Sequence, residues 1–178
     1  MGALVGLVVA GGGSRLAMRL VALADDQEDF GFVTGSGAFV GEITVAGTIA
    51  VLGTGIVLGI VGAFLYLALR RWLPARPSHR GALFAVIVVG LGLVLTIEFN
   101  QGDFDFAAPA TTVLSFAAVL LLYAVVVPPL VERLAPRSSG HSRWGRALVG
   151  TVLAVALIGG AFAVKHAFEF AAGSRLSA

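Results

Sequence analysis

Residues 43–69 read ITVAGTIAVLGTGIVLGIVGAFLYLAL, and Arg70-Arg71-Trp72 follow at once. The stretch carries no charge and exceeds the roughly 20 apolar residues that a helix needs to cross a hydrocarbon core of about 30 Å. A soluble protein would have to wrap such a helix in polar surface. This chain has 178 residues, of which 58% are hydrophobic and 12% charged, with a mean hydropathy of +0.97. Soluble domains carry about a quarter of their residues as charges. Lipid is therefore the expected solvent, and helices satisfy their own backbone groups there. The fold expected is an all-α integral membrane bundle in a single domain.

Outward from that stretch, residues 81–97, 106–131 and 147–164 are also free of charge. With their flanks they define spans at 81–98, 108–131 and 147–168, beside the span at 43–69. A further candidate lies at 3–24, where Arg15 and Arg19 interrupt the second half. A central arginine costs about 2.5–3.5 kcal/mol on insertion scales. The surrounding Leu, Val and Met offset that cost, and Arg19 lies near enough to the end to snorkel. We therefore read 3–24 as a span in preference to an interfacial or re-entrant segment, which makes five transmembrane helices.

Loop charges orient the bundle. Arg70, Arg71, Arg76 and Arg80 follow the second span without an acid, and Arg133, Arg137, Arg143 and Arg146 follow the fourth against the lone Glu132. Asp25, Asp26, Glu28, Asp29 and Glu42 lie between the first two spans, and Glu98, Asp103 and Asp105 between the third and fourth. The excess of arginine marks the cytoplasmic side, so the N-terminus is expected in the cytoplasm and the acidic connections outside. Trp72 and Trp144 beside the arginines suit headgroup depth. Pro74, Pro77, Pro128, Pro129 and Pro136 gather at the same side, where proline ends a helix or kinks its last turn. Pro109 suits the start of the fourth span. The N-terminal segment has no basic region or cleavage pattern, so no cleaved signal peptide is expected.

Other signals exclude chemistry. With no cysteine, thiolate metal sites, thiol catalysis and disulfides are ruled out. A pI near 9.7 comes with a net charge of only +2. The arginines are divided among short loops, so no nucleic-acid partner is expected. Gly11-Gly12-Gly13-Ser14 lacks the Lys-Ser/Thr ending and preceding strand of a phosphate loop. His166 and Glu169 stand in the reverse of the order used by bundle di-metal sites, and His79 and His141 fall in the arginine loops, so no metal site is expected. Leu73-Pro74 with Arg80-Gly81-Ala82-Leu83, and Ala135-Pro136 with Gly145-Arg146-Ala147-Leu148, suggest a faint repeat. Compositional bias explains it better.

The polar groups in or beside the spans collect toward the external side: Arg15, Arg19, Glu42, Glu98, Asp103, Asp105, Lys165, His166 and Glu169. Charges at membrane depth tend to face the bundle interior and pair, so this set is the candidate site, an outward polar cluster. Arg15 and Arg19 share a helix face and are expected to meet Glu42 or Glu98. Lys165 and Glu169 are spaced for an i,i+4 pair. The plainer reading of the same residues is structural salt bridges and headgroup contacts. Gly55, Gly59 and Gly62, with Gly2 and Gly6, form small-residue faces for close helix packing, most simply within the chain.

Gly13-Ser14-Arg15-Leu16-Ala17-Met18-Arg19, Gly41-Glu42-Ile43-Thr44 with Gly47-Thr48, and Leu69-Arg70-Arg71-Trp72-Leu73-Pro74 together resemble uncharacterised multi-spanning membrane proteins of actinobacterial or Chloroflexi type. The resemblance is carried by the first 75 or so residues and implies no activity or cofactor. The function expected is a non-enzymatic accessory or structural subunit of a complex in a bacterial inner membrane. Its partners are then the lipid bilayer and a larger complex or a second copy. The alternative is a small transporter or channel for a cation or polar solute that uses the outward cluster.

Overall fold

The computed structural model describes residues 1–24, 44–98, 109–134 and 143–177, with side chains as far as residue 169. The described residues form five long helices: α1 (Gly2–Ala24), α2 (Val45–Leu69), α3 (Pro77–Glu98), α4 (Pro109–Leu134) and α5 (Arg143–Ser177). Among these residues there is no strand. Each helix is long and apolar enough to cross a membrane, α5 over Arg143–Glu169. At 1.5 Å per residue even the 22 residues of α3 exceed the hydrocarbon thickness. Only 17–28% of each apolar stretch is buried inside the bundle. The remainder needs lipid, and the chain is a multi-pass, all-α membrane protein.

Boundaries follow from local chemistry. Thr44, in extended conformation, caps α2 by accepting a hydrogen bond from the Gly47 N–H at 3.2 Å. Pro77 opens α3 and Pro109 opens α4, where a missing N–H costs nothing. Proline is expected to end the fourth span or kink its last turn; α4 runs through Pro128 and Pro129 to Leu134, and Pro136 lies outside the described residues. Buried packing of Pro128 and Val131 holds the helix past two residues that cannot donate.

Helix α1 is not uniform. Residues Gly6–Gly12 form a π-helical stretch between α-helical flanks. Its i→i+5 bonding adds a residue to the turn, so Gly11 falls in line with Gly2 and Gly6 where α-geometry would turn it away. That line packs on α2. A Cβ on Gly6 would run into the Gly55 carbonyl, one on Gly55 into the Gly11 backbone and one on Gly59 into the Gly6 Cα. Gly62 faces a different helix, with the Tyr123 ring of α4 against it.

In the bundle α1 lies between α2 and α4, α4 packs on α3, and α3 packs most extensively on α5. The last interface is also made by small residues. A Cβ on Gly90 would overlap the Ala156 carbonyl, and Gly160 lies against Gly90. The main core joins Tyr66 and Leu69 of α2 to Phe84 and Ile87 of α3 and to Ala124 and Val127 of α4. Tyr66 and Phe84 meet edge to face with centroids 4.9 Å apart. A smaller core of Leu93, Ile97, Ala163 and Ala167 closes the other end of α3 and α5.

Candidate functional site

Arg15 stands four residues beyond Gly11 and therefore faces α2. Its Nη2 donates to the Thr48 Oγ1 at 3.0 Å and to the Thr44 carbonyl at 3.3 Å. Thr48 Oγ1 itself donates to the Thr44 carbonyl at 2.7 Å. Arg15 thus ties α1 to the first turn of α2, while its buried Nε has no hydrogen-bond partner among the described residues. Beside it an open depression of about 300 Å³ is lined by Thr44, Val45, Thr48 and Ile49.

Arg15 is expected from the sequence to meet a carboxylate, Glu42 or Glu98. Glu98, one of the two acids proposed, is engaged at 3.1 Å by Nδ1 of His166. The reason is topological: α1 packs against α2 and α4, whereas the end of α3 that carries Glu98 packs against α5. Glu42, the other proposed partner, lies outside the described residues, as do Asp103 and Asp105. Arg19 is exposed on α1.

At the same end of the molecule as Glu98, Phe162 lies against the His166 ring, with centroids 4.0 Å apart. Lys165 and Glu169 form an i,i+4 pair at 3.2 Å, both largely exposed. Four of the described members of the outward set, together with Glu98, are therefore divided between helix pairs or held within one helix. Arg15 joins α1 to α2, His166 joins α5 to α3, and Lys165–Glu169 stays within α5. Among the described residues no three His, Cys, Asp or Glu side chains gather as a metal ion would require.

Among the described residues the most buried charge lies at the opposite end. Arg80, read as a loop arginine without an acid, sits in the first helical turn of α3 and is 5% exposed. Its Nη1 meets Oε1 of Glu132 on α4 at 2.9 Å. The same oxygen accepts the Tyr66 hydroxyl of α2 at 2.5 Å. One carboxylate thus links three helices, and its charge is matched by a guanidinium. The available signal was Glu132 itself, the lone acid among arginines. Near mid-bundle, the Tyr123 hydroxyl donates to the Gly59 carbonyl at 2.6 Å, a second polar link between α4 and α2.

No protein-family model, curated protein or solved structure matches the chain.

Proposed function

We propose that this chain is a non-enzymatic accessory or structural subunit of a membrane protein complex, seated in a bacterial inner membrane with its arginine-rich end in the cytoplasm. The observation that supports this reading is the use made of the polar side chains. Arg15, Arg80 with Glu132 and Tyr66, Tyr123, and Glu98 with His166 each cross from one helix to the next. They brace a scaffold. A transporter would instead aim several such groups into a shared passage near the bilayer midplane.

The alternative, a small transporter or channel, has one supporting feature, the depression beside Arg15. The deciding experiment has two arms. Native mass spectrometry of the protein released from its own membranes in mild detergent should show a stoichiometric second chain. Purified protein in liposomes should leave rubidium and chloride flux at the level of empty vesicles. A chain that runs alone and raises either flux overturns the subunit reading.

A further inference from the structure

Residues 70–76 connect α2 to α3 at the arginine-rich end in a hydrogen-bonded turn. The Arg70 N–H donates to the Tyr66 carbonyl at 2.8 Å, and the Trp72 N–H to the Leu69 carbonyl at 3.0 Å. Leu73, 2% exposed, plugs the turn into the core. The Trp72 indole lies directly over Gly145 in the first turn of α5, where any Cβ would overlap it. This contact seats the turn on α5 and brings two separate basic segments together. Arg71 stacks over the Trp72 ring, its Cζ 3.9 Å from the centroid. Arg71 and Arg76 on one side and Arg143 and Arg146 on the other are all exposed.

The charge at this end is not balanced. Among the described residues the acids are Glu98, Glu132 and Glu169, and the one at this end, Glu132, is engaged by Arg80 and Tyr66. Directly beyond the arginines α5 turns apolar, with Leu148 47% exposed. The orientation rule accounts for arginines at this end of the spans, but it does not require an indole seated on a glycine that joins two basic segments. We propose that the α2–α3 turn and the first turn of α5 hold the phosphate headgroup of an anionic phospholipid, with its acyl chains along the apolar face of α5. Guanidinium forks match phosphate oxygens in pairs, and basic pockets between helices at this depth suit such headgroups.

The test uses the full-length protein in detergent, doped with equal amounts of phosphatidylglycerol and phosphatidylethanolamine of identical chains, with bound lipid read by native mass spectrometry. The expected result is preferential retention of phosphatidylglycerol. Arg71→Gln/Arg146→Gln should weaken it roughly thirty-fold, from about 1 kcal/mol per arginine at a charged membrane surface. Lys165→Gln, at the other end, should leave it unchanged. If the double variant does not fold, Arg143→Gln alone should weaken retention about five-fold on the same basis. Equal retention of the two lipids, or retention indifferent to the arginine substitutions, overturns the proposal. Displacement of the lipid by millimolar inorganic phosphate also overturns it, because the ligand would then be a soluble anion.

Discussion

Glu132 shows how much one side chain decides here. Its carboxylate meets Arg80, whose side chain is 6% exposed, and accepts from Tyr66 while remaining 29% exposed itself. Removing one partner of a buried pair leaves a charge without compensation, at about 3–5 kcal/mol. The partial exposure of Glu132 lets water soften that loss, so Glu132→Ala should cost near the lower end of the range. Replacing both charges, as Arg80→Met/Glu132→Met, should cost clearly less than Glu132→Ala alone, because no charge is then stranded. Tyr66→Phe removes one hydrogen bond to a charged group and should cost about 1.5–3 kcal/mol. Thermal unfolding in detergent gives all three values. A double variant that unfolds earlier than Glu132→Ala would show that the pair stabilises through its charges. Arg15 differs in kind, since its described partners are a carbonyl and a hydroxyl and no carboxylate.

The contact between α1 and α2 depends on glycine at matched positions. Gly2, Gly6 and Gly11 are spaced four and then five apart, and only the π-helical stretch puts all three on one face. In lipid this approach is made by packing, not by expulsion of water, so each added atom is felt. Gly59→Leu should therefore reduce folded yield and lower the unfolding temperature by an amount equivalent to about 1–3 kcal/mol or more, the usual cost of overpacking. Gly53→Ala is the internal control, since a Cβ there meets nothing within 4 Å. It should be neutral or slightly stabilising, as alanine is the better helix former. Unchanged stability in Gly59→Leu would mean that α1 does not sit on α2 as described.

For the whole molecule the prediction is orientation. The chain has no native cysteine, so single cysteines report without background. Arg76, exposed at the arginine-rich end, and Glu169, 55% exposed at the other, are suitable sites. Arg80 is not, because its side chain is buried in the Glu132 pair. In intact cells an impermeant thiol reagent should label Glu169→Cys and spare Arg76→Cys, with the pattern lost after the membrane is broken. Labelling of Arg76→Cys alone would invert the bundle.

The class of fold was legible in residues 43–69 and the other charge-free stretches, because the length and polarity of a span answer to the bilayer and not to neighbouring helices. Candidate packing residues such as Gly55 and Gly59 were legible too, since small side chains at a spacing of four leave one face bare whatever approaches it. Which helix lies against which face was not. That Gly59 meets α1 while Gly62 meets Tyr123 depends on how α1 and α4 are arranged around α2. The polar pairings were hidden for the same reason. Glu98 was within reach of several cations by sequence, and only the packing of α3 on α5 gave it to His166. Arg80 reads as one more loop arginine, but α3 begins at Pro77 and places Arg80 in its first turn, which sets the guanidinium beside Glu132. Solvent preference is a property of each segment alone. Pair formation depends on which segments touch, and only the tertiary structure decided that.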